Sequence, residues 1–224
     1  MDLEYVGLPL LMITPIVLGL AVLAVAAALK ARKAGLAIGI VGGALIWLGI
    51  YFAGLLAVSL TSRQHVLGLN QEKAFCGAYL DCHLSVAVVN VRQTKTLGEP
   101  PTQKIAAGAY YVVTTRISSD AVAAALPFEN PNAIVADELG QNYYRSLEAE
   151  SALEAQQGGV VPFEQTLEHG MSYTKDLVFD LPANVQHPRL LVTEGHWLER
   201  LAELFLIGDE DSLFHKPTVI RLEP

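Results

Sequence analysis

The residues best suited to chemistry are Cys76 and Cys82, the chain's two cysteines, together with His83, which follows the second of them. Thiolate and imidazole are soft ligands for zinc, copper or haem iron. The spacing matches no standard site. A c-type haem attachment needs Cys-x-x-Cys-His, and a tetrahedral zinc site needs further ligands that no neighbouring pair supplies. In an oxidising compartment the default is a disulfide closing a short loop. Free thiols and a metal or haem site on Cys76, Cys82 and His83 stand as the alternatives.

A second concentration of donors runs from Gly208 to Pro217, where Asp209, Glu210, Asp211 and His215 fall close together. Carboxylates suit calcium, so Asp209 and Asp211 are metal candidates. The stretch lacks the ligand alternation of an EF-hand and reads better as an acidic, solvated turn in which Asp211 or Ser212 caps a helical turn. The histidines at 65, 83, 169, 187, 196 and 215 are scattered. No nucleophile elbow, phosphate loop or dinucleotide fingerprint occurs. Tyr110, Tyr111, Tyr143, Tyr144 and Tyr173 are either a ligand groove or cross-strand core pairs, and the second fits the strand pattern around them. The expectation is a protein without catalytic residues or cofactor.

The elements around these residues divide sharply. Val6 to Leu29 and Leu36 to Leu60, 24 and 25 residues, contain no Asp, Glu, Lys, Arg or His. A hydrocarbon core needs roughly 20 helical residues, so the sequence predicts two transmembrane helices, about 6–29 and 36–60. Asp2 and Glu4 do not suit a signal peptide, whose start is basic. The connection holds Lys30, Arg32 and Lys33, and basic loops stay inside. Both termini are therefore expected outside the cytoplasm of a bacterial inner membrane, the soluble part periplasmic or extracellular. Spans without charge disfavour a transport pathway. Gly35, Gly39 and Gly43, with Gly42 and Gly49, make a small-residue face on the second helix for packing within the hairpin or against a foreign helix.

Without the loop bases and the two N-terminal acids, the rest of the chain has twelve bases against twenty-one acids, a formal charge of −9. That balance repels phosphate backbones, and nucleic acid is excluded as a partner. After a juxtamembrane segment, 63–82, the pattern turns to strands: His83–Arg92, Ala109–Ser118, Asn132–Val135, Asn142–Ser146, Phe163–Leu167, Tyr173–Leu181, Arg189–Thr193 and Thr218–Leu222. Leu147–Gln157 is either a short helix or an excursion, and Trp197–Phe205 has helical spacing. The expected organisation is a helical hairpin over 1–62 and a mainly-β domain, an antiparallel sandwich, over 83–224.

Within 83–194 the order Tyr110-Tyr-Val-Val-Thr-Thr-Arg-Ile, Asp137-Glu-Leu-Gly-Gln-Asn-Tyr143, Leu167-Glu-His-Gly170, Leu177-Val-Phe-Asp-Leu-Pro182 and Leu190-Leu-Val resembles the small membrane-anchored immunoglobulin-like domains of unknown function found in bacterial lipoproteins and cell-envelope proteins. This chain has His169-Gly170 where that family has a Pro-Gly turn, and a helical hairpin where it has a lipidated cysteine. The resemblance implies a binding or assembly module with no catalytic residues. The functional expectation is a non-catalytic accessory or scaffold subunit among other integral membrane subunits in the bilayer, with bioenergetic complexes, respiratory or photosynthetic, as one home. An envelope domain binding a ligand or metal through Cys76, Cys82 and His83 is the alternative.

Overall fold

The computed structural model describes residues 4–76 and 82–223. Asp2 and the five residues between the cysteines lie outside them. The chain forms two compact units: Met1–Arg63 with Leu198–Lys216, and Gln64–Trp197 with Pro217–Pro224.

In the first unit the two apolar runs become helices α1 (Glu4–Lys30) and α2 (Ala34–Thr61), both long and apolar enough to cross a membrane. Leu20, Val22, Ile38 and Ile46 are each more than 60% exposed. Core helices of a water-soluble fold would cover such side chains. α1 ends in a Schellman turn: the Lys33 amide donates to the Ala28 carbonyl at 2.8 Å, the Arg32 amide to Leu29 at 2.9 Å, and Arg32 takes the left-handed conformation at φ 56°. Across the hairpin, Trp47 Nε1 donates to Thr14 Oγ1 at 3.3 Å, while Thr14 donates to the Leu10 carbonyl at 2.7 Å. A Cβ built on Gly35, Gly39, Gly42, Gly43 or Gly49 would meet nothing within 4 Å, so the Cβ positions of this small-residue face open onto space.

The second unit is a mainly-β domain. Its strands are β1 (Val66–Leu67), β2 (Glu72–Phe75), β3 (Leu84–Leu97), β4 (Lys104–Ser119), β5 (Leu126–Pro127), β6 (Asn132–Ala136), β7 (Asn142–Tyr144), β8 (Thr166–Leu167), β9 (Ser172–Leu181), β10 (Arg189–Thr193) and β11 (Val219–Arg221), with helix α3 (Leu147–Gln157) after β7. One sheet runs β1-β11-β10-β6-β7 and another β2-β3-β4-β9, with β5-β8 as a small third. Pairing is antiparallel except between β1 and β11, which run parallel. That exception corrects the all-antiparallel expectation. It arises because residues 64–67, expected to be a plain connection, supply an edge strand, and β2 likewise starts the domain before residue 83.

Alternation explains the core. Val86, Val88, Tyr111, Val113, Ile117, Leu177 and Phe179 from the four-stranded sheet join Val135, Leu190, Val192 and Ile220 from the five-stranded sheet in one buried cluster around Phe128. The opposite face of the four-stranded sheet is also apolar. Tyr110, Val112 and Val178 there meet Ala149 and Leu153 of α3, which settles the open choice at 147–157 in favour of helix. Gly158 ends α3 at φ 83°, a left-handed cap that glycine adopts without strain. The helix is tied down by charge. The Glu150 carboxylate, 4% exposed, takes a forked pair of hydrogen bonds from Arg145 at 2.9 and 2.5 Å and one from the Val178 amide at 3.1 Å. Lys175 pairs with Glu154 beside it.

The tyrosines are core residues rather than a groove: Tyr110 and Tyr111 are buried on opposite faces of β4, and the Tyr173 hydroxyl donates to the Phe163 carbonyl at 2.5 Å. Tyr144 alone of the five is well exposed.

Removing one partner of a buried, hydrogen-bonded ion pair leaves a charge stranded and costs about 3 kcal/mol or more. Glu150→Ala is therefore expected to lower the unfolding free energy of the β unit by about that much, read from denaturant midpoints. Glu148→Ala, on the exposed side of α3, should leave the midpoint nearly unchanged, because its pair with Lys104 is solvent-screened.

Candidate functional site

Strand register concentrates polar side chains at one end of the four-stranded sheet. Leu84 pairs with Ser119 across β3 and β4, and Ser118 with Ser172 across β4 and β9. The residues just outside those pairs, His83, Asp120 and the turn at 168–171, must then be neighbours. His83 Nδ1 lies 2.6 Å from Asp120 Oδ1, and His169 Nδ1 lies 3.0 Å from the Asp120 carbonyl oxygen. The Asp120 amide donates to the His83 carbonyl at 3.1 Å, and the Gly170 amide to Ser119 at 2.9 Å. Two histidines scattered in sequence thus converge on one aspartate.

A cleft of about 670 Å³ opens beside them, with Glu72, Arg116, Ser118 and Met171 among its lining and Cys82 at its rim. The Ser85 and Ser118 hydroxyls bond each other at 2.9 Å, and Arg116 meets Glu72 at 3.3 Å. An aspartate orienting an imidazole is half of a nucleophilic dyad. The other half, a hydroxyl or thiol on the second ring nitrogen, is not formed by Ser85 or Ser118, whose hydroxyls face one another. The arrangement suits recognition of a polar group by paired donors and acceptors.

Cys76 and Cys82 form a disulfide. Both sulfurs are thereby removed from any thiolate ligand set with His83. Among the described residues no group of three or more His, Cys, Asp or Glu is placed to hold a metal ion. Asp209 Oδ1 accepts the Asp211 amide at 2.8 Å, and the Ser212 amide donates to the Asp209 carbonyl at 3.3 Å. The acidic stretch is a self-capped turn. Its neighbour His215 keeps Nδ1 buried without a hydrogen-bond partner.

A smaller groove of about 300 Å³ is lined by Val66, Glu138, His187, Arg189, Arg221 and Glu223. His187, at φ 47°, stands 3.0 Å from Glu223 and 3.5 Å from Glu138. Glu138 is presented by the turn between β6 and β7. There the Gln141 amide on the Asp137 carboxylate, helped by the Tyr143 hydroxyl and the Leu139 and Gly140 amides, holds that carboxyl below the usual carboxylate range. The expected hairpin loop with Gly140 in the left-handed region, φ 76°, is present.

No protein-family model and no curated protein matches this sequence. Three solved bacterial structures share part of its shape. A conserved hypothetical protein from Bacillus anthracis aligns at TM-score 0.43 and 14% identity, over 57% of this chain and 89% of its own. The secreted protein MPT63 from Mycobacterium tuberculosis aligns at TM-score 0.41 and 13% identity, over 62% and 95%. The yjhA protein from Bacillus subtilis aligns at TM-score 0.43 and 13% identity, over 70% and 99%. No function is carried across from them.

Sequence reasoning missed the His83–Asp120–His169 grouping. No local signal marks it, since each member lies outside a strand and only the pairing register brings them together.

Two outcomes follow from this geometry. Closing a loop of sequence separation 6 restricts the unfolded chain by about 2 kcal/mol, so reduction or Cys76→Ser with Cys82→Ser should lower β-unit stability by about that amount in a denaturant titration. The Asp137 carboxyl is depressed on folding, so its contribution is present above the unfolded pKa near about 4 and disappears as pH falls through the lower folded value. Asp137→Asn should flatten the acid limb of a stability-versus-pH curve.

Proposed function

We propose that this chain is a non-catalytic, membrane-anchored accessory or scaffold subunit of a larger membrane assembly. Its two helices cross the bacterial inner membrane and its β unit is an immunoglobulin-like sandwich serving as an extracytoplasmic interaction domain.

The observation that carries this proposal is the uncovered glycine face of α2, where Gly35, Gly39, Gly42, Gly43 and Gly49 leave open space at every Cβ position. Lipid tails gain little from a glycine, whereas a neighbouring helix gains close backbone approach and dispersion contact. The charge-free spans and the basic Lys30–Lys33 connection support the topology. The disulfide supports an oxidising compartment for the β unit. A polar cleft floored by paired side chains, rather than a deep apolar pocket, is what a protein-docking surface offers.

The test is gentle extraction from the native membrane, size analysis and identification of the chains that migrate with this one. A defined set of co-migrating membrane subunits is expected, with Gly39→Leu combined with Gly43→Leu releasing the chain from it at least about tenfold. Migration as a lone monomer would refute the proposal. So would a double variant that stays fully associated.

A further inference from the structure

We propose that residues 198–214 form an interfacial collar that lies in the headgroup-to-acyl boundary of the same bilayer and immerses Leu201, Leu204, Phe205, Leu213 and Phe214 in it. This rests on the membrane-spanning topology proposed above.

The sequence marks residues 197–205 as helical, and α4 (Trp197–Glu203) forms there. What the spacing does not reveal is where the segment goes: from Leu198 to Lys216 it belongs to the helical unit. Its attachment points are specific. Gly7 of α1 lies so close to the segment that a Cβ would collide with the Ile207 carbonyl. Ile207 is buried with Tyr51 and Leu55 of α2, flanked by Leu10, Leu11 and Val58. The Tyr51 hydroxyl donates to the Phe205 carbonyl. Ser59 and Ser212 share a hydrogen bond at 3.2 Å, and the Lys216 amide donates to Ser62 Oγ at 3.0 Å. All these positions are in the first turns of α1 or in the C-terminal half of α2 and its cap, the end remote from the Lys30–Lys33 connection. At 1.5 Å per residue, Ser59 lies about 3 Å and Tyr51 about 15 Å below the end of α2, so the attachment points run from the headgroup layer into the outer hydrocarbon.

Apart from Leu206 and Ile207, the segment leaves its larger apolar side chains partly open. Leu201 is 48% exposed and Phe214 62%. Phe205 meets the ring of Phe52 edge-on at 6.4 Å, and Phe52 itself points outward from α2, 41% exposed. The exposed surface of the segment is therefore continuous with the outward surface of the span. Phe214 is held at φ 66°, a conformation costly for a bulky residue, with its ring projecting away from the protein. In water that ring is a liability, and at a membrane interface it is favoured. Between 198 and 214 there are five carboxylates, Glu199, Glu203, Asp209, Glu210 and Asp211, against Arg200 alone. Attraction to anionic lipid is thereby excluded as the driving force, and apolar burial in a zwitterionic interface is left.

The full-length chain, reconstituted in phosphatidylcholine nanodiscs, gives the test. Trp197→Phe leaves Trp47, midway along α2, as the sole tryptophan. Phe214→Trp, made with Trp47→Phe and Trp197→Phe, reports on the collar, and Leu213→Trp in the same background is a second reporter. Lipids brominated near the carbonyl end should quench both collar reporters roughly twofold, while Trp47 is quenched best by bromines near the chain terminus. Trp47 quenched by neither lipid would overturn the spanning topology. Trp47 quenched while both collar reporters stay bright would overturn the collar alone, and is the result expected if a protein partner or second copy covers this surface instead.

Discussion

A strand that is apolar on both faces cannot border water, and β4 is such a strand. Tyr111, Val113 and Ile117 point into the main core while Tyr110 and Val112 point the other way. Both sides must be roofed, one by the five-stranded sheet and one by α3. An isolated helix of 11 residues is marginal in water, and α3 contributes little apolar surface beyond Ala149, Ala152 and Leu153. Glu150 supplies the remaining hold, because its buried carboxylate joins Arg145 and the Val178 amide to the helix in one hydrogen-bonded unit. The position of β4 thus dictates a helix, and the weakness of that helix dictates a buried ion pair.

The same strand dictates where polar residues collect. β4 pairs with β3 on one side and β9 on the other over nearly its whole length, so the ends of all three fall together. His83, Asp120 and His169 meet there because they lie immediately beyond the paired residues. A site at strand ends, on a scaffold fixed by a doubly covered strand, has rigid walls and variable contents.

What was legible in the sequence was local. Two runs without charge read as helices to within a few residues of α1 and α2. The Tyr110–Thr115 run read as strand, and the alternation of Leu177 and Phe179 with Val178 and Asp180 gave the two faces of β9 correctly. What was not legible depends on register between distant segments. Val66–Leu67 carries no alternation and becomes a strand only by lying beside Val219–Ile220. β3 and β4 run past their expected ends because each supplies the other's hydrogen bonds. The glycines of α2 stand out in the sequence as a small-residue run, and in the structure their Cβ positions open onto space. Trp197–Phe205 shows helical spacing, without any sign of the fold unit to which residues 198–216 return.

That return makes the helical unit discontinuous in the chain, and this bears on biogenesis and on handling. The hairpin leaves the ribosome with Gly7, Tyr51 and Ser59 uncovered, and their cover is synthesised only after residues 64–197. The helical unit is therefore finished last, although it is started first. A fragment cut after Arg63 to free the β unit keeps β11 but carries Ile207 away from the helices that bury it. Such a fragment would expose new apolar surface in water and tend to self-associate for a reason unrelated to the soundness of its β-sheets.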